Sequence, residues 1–364
     1  MVLFKRFERI LFTLILLMAG IIVVIQMPHF TNLESGSLLT PHLQAFVTIF
    51  LAIAIEATPF ILLGIFGSAF LEVFVSEKAL QKVLPKNPYI GTPLAGLLGI
   101  LFPFCECGMV PIARRLLLKG VRPSQVFPFM LAAPIINPIT AISTYYAFYG
   151  QMDMVALRFV GAFVIVLFVG YILLVLEKRK GEHNLRTEII RPQAKITTEA
   201  CGCSHGHSSC GQSHGHHHHH GQNSTIKSIL SKTNNFLRHA VDEFFTVGAY
   251  LLVGAALAAA AQVWLPQSSL QVLGQETLLA VLTMMLLGFA LSICTAADAF
   301  VAAGFVGTFT PGAILTFLIF GPMIDVKNTL MMLGFFRRSY VFLLIAIVST
   351  AALLVGLSID TFFF

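Results

Sequence analysis

Charged residues are scarce in this chain of 364 residues, making up 11% of it against 57% for apolar residues. A soluble domain carries roughly 25% charged residues, so a soluble enzyme or soluble binding domain is excluded. The mean hydropathy is +0.84, and several apolar runs reach the ~20 residues that cross a bilayer. The composition therefore predicts a polytopic membrane protein that moves something across the bilayer and is not an enzyme.

Several motifs are also missing. No Walker A motif occurs, which argues against direct use of ATP by this chain. No C-x-x-C pair occurs outside the His-rich tract described below, which argues against a thiol redox relay. Six cysteines do not make a secreted disulfide framework, since such frameworks belong to small domains. No small-x-small cleavage site follows Gly20, so we expect the first apolar run to be a retained helix, not a signal peptide.

The apolar runs predict an all-α fold. They are residues 10–27, 43–75, 90–118, 124–150, 152–177, 237–265, 277–308, 312–336 and 338–359. The expected domains are an N-terminal transmembrane helix with its loop (1–42), a first transmembrane repeat (43–177), a Cys/His-rich linker (178–235) and a second transmembrane repeat (236–364). The linker composition cannot bury a core, so disorder or metal-induced order is expected there.

The two apolar halves share landmarks at an offset of about 189 residues, with one gap. The matched positions are Gly99 with Gly288, Cys105 with Cys294, Pro123 with Pro311, and Asn137 with Asp325. Four matches in register within one window indicate an internal duplication, a common feature of transporters.

The basic residues decide how each half crosses the membrane. Loop 76–89 and residues 114–122 are both basic, so both are expected in the cytoplasm. Segment 90–113 must then enter and leave on the same side. Each of its arms has about 12 residues, roughly 18 Å at 1.5 Å per residue, which is too short for a hydrocarbon core of ~30 Å.

The second half follows the same logic. Loop 266–276 has no Lys or Arg, whereas Arg337 and Arg338 are basic. If 277–308 is also re-entrant, these arginines lie in the cytoplasm. The expected scheme is a pair of inverted repeats, each with three spans and a re-entrant hairpin, in a bacterial inner membrane with the N-terminus and the linker cytoplasmic. The rival is a parallel repeat with four full spans per half.

The predicted tips of the two hairpins carry the chemistry. Cys105-Glu106-Cys107 lies at the first tip, and Cys294 with Asp298 lies at the second. Thiolates bind copper(I), zinc(II) and trivalent arsenic. An acid inside the membrane costs a few kcal/mol unless it is paired or wet, so a functional role is the default. The sequence predicts that the two tips meet and bind a soft metal ion.

Four further polar residues lie in the apolar segments. Asn137 and Asp325 each follow a proline that frees backbone carbonyls, so they either help to bind a cation or are satisfied polar groups in kinked helices. Lys327 either pairs with Asp325 or marks the cytoplasmic end of its span. Glu56 precedes Pro59 and is expected to be a buried acid that relays protons.

The linker has a metal-binding composition. Its candidate ligands are Cys201, Cys203, His205, His207, Cys210, His214, His216, His217, His218, His219 and His220. They suit zinc, copper or nickel. Five consecutive histidines could be an expression tag, but a tag normally sits at a terminus and this run lies among other Cys and His residues. We expect it to capture ions in the cytoplasm or to sense them.

The sequences Phe102–Gly108 and Ala133–Pro138 resemble a bacterial family of predicted permeases. That family includes the organoarsenical efflux permease ArsP and relatives that export copper or zinc. The resemblance covers both hydrophobic halves, including Gly321–Asp325. It implies a multi-span permease with the three intramembrane cysteines in the transport path. The His-rich linker looks closer to the copper/zinc branch.

The leading hypothesis is therefore export of zinc or copper, with protons as counter-ion handled by Glu106, Asp298 or Glu56. The alternatives are export of trivalent arsenicals or, in another class, a membrane thiol redox protein or metal sensor. No covalent cofactor is expected. The net charge of +6 follows from the basic cytoplasmic loops, so the expected partners are the metal substrate and the lipid bilayer, and no nucleic acid. The oligomeric state, monomer or homo-oligomer, is left open.

Overall fold

The structure, a computed structural model, describes residues 41–74, 87–101, 105–190, 224–264 and 277–362. Within these ranges the chain is helical, and pairing between extended segments is limited to two isolated bridges. The all-α prediction is thus confirmed. The helix expected at 10–27, the linker's Cys/His tract and residues 102–104 of the first tip lie outside the described residues.

The helices fall into two groups. The first group comprises α1 (Pro41–Phe74), α2 (Pro88–Leu98), α3 (Glu106–Leu118), α4 (Pro123–Ala132), α5 (Pro138–Ala147), α6 (Met152–Lys180) and α7 (Glu182–Ile189). The second comprises α8 (Ser224–Trp264), α9 (Thr277–Leu291), α10 (Asp298–Ala303), α11 (Pro311–Met323), α12 (Val326–Phe335) and α13 (Arg338–Phe362).

Proline and capping side chains set where several of these helices begin. α2, α4, α5 and α11 all have proline at their start, where its missing N–H costs nothing. The Asn87 side chain accepts a hydrogen bond from the Tyr89 N–H at 3.1 Å. The Thr310 hydroxyl accepts one from the Ala313 N–H at 3.3 Å. Such caps satisfy N–H groups that a helix start leaves without a partner.

Five stretches of the described residues are long and apolar enough to cross a membrane. They are Leu43–Ser68, Met152–Lys180, Phe244–Val263, Pro311–Phe335 and Arg338–Thr361. They correspond to five of the six full spans predicted for the two halves. The sixth, 124–150, is divided into α4 and α5, of 10 residues each, because Pro134 and Pro138 cannot donate helical hydrogen bonds. Pro311–Phe335 is divided in the same way, into α11 and α12.

Half-length helices stand where the sequence predicts the re-entrant arms. α2 and α3 have 11 and 13 residues, and α9 and α10 have 15 and 6. At ~1.5 Å per residue, none reaches across a ~30 Å hydrocarbon core. The opposite orientation of the two halves stays a prediction.

The same helix packing occurs in both halves. α2, α4 and α6 pack on one another, and so do α9, α11 and α13. A Cβ placed on Gly99 would lie 2.9 Å from the Ala133 nitrogen, and one on Gly288 would lie 3.3 Å from the Gly321 Cα. Both close approaches fall at matched positions of the duplication that the sequence indicates.

The halves also exchange contacts. α3 of the first half packs on α12 of the second, and α10 of the second packs on α5 of the first. The long helices α1 and α8 pack against each other beside them. Each tip is therefore held partly by the opposite half.

Helical structure extends into the expected linker from both sides, because α7 follows α6 and α8 begins at Ser224. Leu185 and Ile189 are buried, and their spacing of four residues gives α7 one apolar face. The Arg337 N–H donates to the Ile189 carbonyl at 2.9 Å. A hydrogen bond from the Tyr340 hydroxyl lowers the pKa of the Glu188 carboxyl. The start of the linker and the start of α13 therefore lie at the same end of the molecule.

Candidate functional site

The first tip contains the C-x-C motif and leads into α3. Cys105 is the residue before the helix, in an extended conformation, and is half-buried. Glu106 and Cys107 lie in the first turn and are buried. A carboxylate in the first turn of a helix is favoured by the helix dipole. The break therefore puts two thiols and an acid side by side, and the Cys107 thiol interacts with that of Cys105.

The second tip, residues 292–297, lies between α9 and α10 and has no regular helix. Ser292 has a φ of 49°, which is uncommon for a residue other than glycine. Its hydroxyl accepts a hydrogen bond from the Val326 N–H at 3.1 Å, so this backbone position is tied to the start of α12. Cys294 is half-buried.

The two tips meet at a cavity of about 200 Å³. Three thiols line it, those of Cys105, Cys107 and Cys294. Glu106 and Lys327 also line it, and apolar side chains of α1 form part of its wall. The sequence prediction that the cysteines of the two halves come together therefore agrees with the placement of these side chains.

Lys327 contacts two carboxylates. Its Nζ lies 3.7 Å from Glu106 Oε1 and 3.8 Å from Asp325 Oδ2. All three side chains are at most 4% exposed. Thr295 of the second tip lies close to the other Glu106 oxygen, at 3.5 Å. The pairing of Lys327 with Asp325 is one of the two readings that the sequence allows, and the contact with Glu106 adds to it.

Asn137 and Asp325, the matched polar pair, each cap the start of a helix. The Asn137 Oδ1 accepts from the Thr140 N–H at 2.9 Å, and the Asp325 Oδ1 accepts from the Asn328 N–H at 2.6 Å. Each caps the helix that follows a proline-containing break. Asn137 also donates to the Pro134 carbonyl at 2.9 Å. Neither residue lines the cavity.

Asp298 does not line the cavity either, because it is paired with Arg158. The Arg158 Nη2 lies 2.8 Å from Asp298 Oδ2 with 0% and 3% of the side chains exposed. The Arg158 Nη1 donates to the Thr144 hydroxyl at 2.7 Å. Sequence reasoning missed Arg158. The signal was present, since it is the sole charged residue between 154 and 176, and a charge inside a span calls for a partner.

Glu56 corrects an expectation. It is exposed on α1, whereas a buried acid was expected, because α1 leaves one side uncovered here and the neighbouring Ile55 is exposed as well. It nevertheless lines the cavity with the thiols. Of the acids predicted to act in the membrane, Glu56 and Glu106 line the cavity, while Asp325 contacts it through Lys327.

A complete metal-binding cluster is not formed within the described ranges, where no three His, Cys, Asp or Glu side chains are arranged to hold an ion. The carboxylates of Glu106 and Asp325 face the Lys327 ammonium. The groups left facing the cavity with metal-binding chemistry are therefore the thiols and Glu56. The linker's Cys and His residues lie outside the described residues.

Comparison with known proteins agrees with this architecture. Residues 42–361 match the predicted-permease family ArsP_1. The chain belongs to this family. It is 42% identical over 298 residues to the UPF0718 protein YcgR of Bacillus subtilis, covering 82% of this chain and 91% of the relative.

A second relative comes from Streptococcus mutans and is called a putative two-component membrane permease complex subunit. It is 38% identical over 310 residues, covering 85% of this chain and 92% of the relative. No solved structure matches the chain. Family membership and the five apolar spans identify a multi-pass membrane permease. The family indicates a transporter rather than an enzyme.

Proposed function

We propose that this permease exports a thiol-binding cargo, copper(I) ahead of zinc(II), through the cavity between the two tips. The observation that supports it is the meeting of three thiols from both halves in one cavity of about 200 Å³. Soft thiolate ligands select copper(I), which two thiolates can hold. Zinc takes four ligands in structural sites, one more than the three thiols that line the cavity.

The arrangement of the halves suits alternating access. α3 packs on α12 and α10 packs on α5, so the two tips lie at the interface between halves. Movement of one half against the other would expose a cargo at the tips first to one side and then to the other. Glu56 is the best-placed proton carrier for coupling, because it lines the cavity while Glu106 and Asp298 contact cationic side chains.

The linker and a partner complete the proposal. On the cytoplasmic side, the linker's Cys and His residues would capture ions and raise their concentration near the cavity. The name of the Streptococcus mutans relative, a subunit of a two-component complex, supports a second membrane subunit for this chain as well. A homo-oligomer is the other assembly in keeping with a membrane permease.

Loss of the C-x-C thiols is expected to abolish export. Cells expressing the wild type should hold less copper at toxic copper than cells with an empty vector. Cells expressing Cys105→Ala/Cys107→Ala should hold as much as the vector control, because the cavity loses two of its three thiols. Cell-associated copper and zinc are measured by inductively coupled plasma mass spectrometry, with membrane expression of each variant matched by immunoblot.

The chain offers a matched control in its second C-x-C motif, Cys201-Gly202-Cys203. Cys201→Ala/Cys203→Ala removes the same two side chains from the linker and should retain most of the export, as should deletion of residues 200–221. A metal sensor acting through the linker would instead lose its response in the deletion. Equal copper and zinc in all strains, vector included, would contradict the proposal.

Trivalent arsenicals are a second candidate, favoured by the size and wall of the cavity. A volume of about 200 Å³ with Ile49, Ile53 and Ile293 in its lining offers room and apolar surface for an organic substituent on arsenic. Two thiolates bind a monosubstituted trivalent arsenic. Growth at inhibitory phenylarsenite separates the candidates: protection against it without any change in cell copper would favour this cargo.

A further inference from the structure

Lys327 is the one cationic side chain among the residues that line the cavity in the described part of the chain. Only 4% of the side chain is exposed. It comes from α12 of the second half and faces Glu106 of the first half. Cys107 and Cys294 line the same cavity. A cation in this position bears directly on which ions can bind beside it.

Two carboxylates converge on this ammonium. Glu106 and Asp325 lie 3.7 and 3.8 Å from the same Nζ atom. An ion bound there would have those oxygens as ligands at about 2.0–2.2 Å if it were zinc. While the ammonium is in place, the two carboxylates face it and not a bound ion. Its positive charge also repels any other cation that approaches them.

The opposing effect depends on the charge of the ion. Coulomb repulsion is proportional to the product of the charges, so the ammonium repels a divalent ion about twice as strongly as a monovalent one. The three thiols line the cavity. A soft monovalent ion can be held by two of them, whereas zinc(II) takes four ligands in structural sites, so a carboxylate oxygen would have to complete its set.

The backbone of α8 fixes the position of Lys327. A Cβ placed on Gly254 would lie 2.8 Å from the Lys327 Cα and 3.3 Å from its Cβ and Cγ. The helix thus packs directly onto the stem of the lysine, which a side chain at position 254 would prevent. The ammonium is held beside the carboxylates by packing as well as by charge.

From this geometry we infer that Lys327 is the selectivity residue of the cavity: it occupies the carboxylate oxygens that would complete the ligand set of a divalent ion, and it leaves the thiols to a soft monovalent cargo. The inference rests on the proposed function, since it assumes that the cavity binds the cargo. It predicts that zinc binding changes in the direction opposite to the usual effect of a substitution in a binding site. Removing a buried side chain from the site should increase its affinity for zinc(II).

The test uses the purified full-length chain in detergent, with the linker's candidate ligands replaced by serine so that the cavity is the site measured. Zinc(II) binding is measured by isothermal titration calorimetry, and copper(I) binding by competition with a chromogenic copper(I) chelator. In Lys327→Gln the zinc affinity should rise by roughly 10- to 100-fold, the range by which groups around metal ligands change affinity. The copper(I) affinity should rise less, by roughly 3- to 10-fold, because the repulsion that is removed is half as large for a monovalent ion.

Lys327→Arg is the matched control, because it retains a cation and should keep the weak zinc binding of the parent. A purely structural role for Lys327 would not change the ratio of zinc to copper affinity. Zinc affinity that is unchanged or weaker in folded Lys327→Gln would overturn the inference. The proposed function fails separately, if copper(I) does not bind the parent or binds Cys105→Ala/Cys107→Ala equally well.

A second measurement keeps Lys327 in place and so does not depend on whether a Lys327 variant folds. In the linker-substituted parent, saturating zinc must displace the ammonium, so reductive methylation of Lys327, read by mass spectrometry, should increase with zinc and not with copper(I). Exposed Lys180 serves as the internal reference. Equal methylation of Lys327 with and without zinc would overturn the inference.

Discussion

Asp298→Ala is expected to leave little of the permease folded. Arg158, with 0% of its side chain exposed, would keep its hydrogen bond to Thr144 but lose its counter-ion. Removing one partner of a buried ion pair costs about 3–5 kcal/mol, a large part of the ~5–15 kcal/mol that stabilises a typical protein. The measurement is the monodisperse fraction on size-exclusion chromatography after heating in detergent, compared with the wild type.

The double variant Arg158→Met/Asp298→Leu is the control. It removes both charges and replaces them with apolar side chains of similar size, a change that is often neutral or stabilising. It should recover most of the lost stability. Because neither residue lines the cavity, it should also recover copper export. A double variant as unstable as Asp298→Ala would contradict the pairing. A stable double variant that does not export copper would show that Arg158 or Asp298 acts in transport itself.

Asp325 is expected to show two separable effects. Asp325→Asn keeps an equally good helix cap but removes the charge that faces Lys327, whereas Asp325→Ala removes both. The asparagine variant should lose a few kcal/mol, because the ammonium keeps only Glu106 as a counter-ion. The alanine variant should lose a further ~0.5–2 kcal/mol, the usual cost of removing a cap. Heating followed by size-exclusion chromatography again provides the measurement.

The duplicated position supplies the control for this experiment. Asn137→Ala at the start of α5 removes a cap and no charge, so it should cost less than Asp325→Ala. Equal destabilisation by Asn137→Ala and Asp325→Ala would show that the charge of Asp325 contributes nothing, and would contradict the contact between Asp325 and Lys327.

Features set by local sequence could be predicted. The apolar runs and the scarcity of charge predict the membrane class, and Pro134 and Pro138 mark the break between α4 and α5. The match between Asn137 and Asp325 was visible from spacing alone, and the structure gives it a cause, since both cap a helix after a break. Local patterns of this kind depend on residues within a few turns of each other.

The duplication predicted that the two tips meet, but the ion pairs that join the two halves could not be predicted. Arg158 and Asp298 are 140 residues apart in the chain, and no periodicity links them. The contact of Lys327 with Glu106 likewise joins the two halves. The exposure of Glu56 depends on how α1 packs beside the tips. Its apolar neighbours in the sequence suggested burial because they do not show that packing. Intramembrane charges identified the residues that need partners but not which partners they find.

The proposed export depends on the thiols at the meeting point of the two tips, which bind the cargo. Copper X-ray absorption spectroscopy on the purified full-length chain, with its linker ligands replaced by serine, identifies the atoms that bind the ion. We expect bound copper(I) with sulfur as its dominant ligand, and loss of that copper in Cys105→Ser/Cys107→Ser. Copper that stays bound with an unchanged spectrum after both thiols are removed would show that the cargo binds elsewhere.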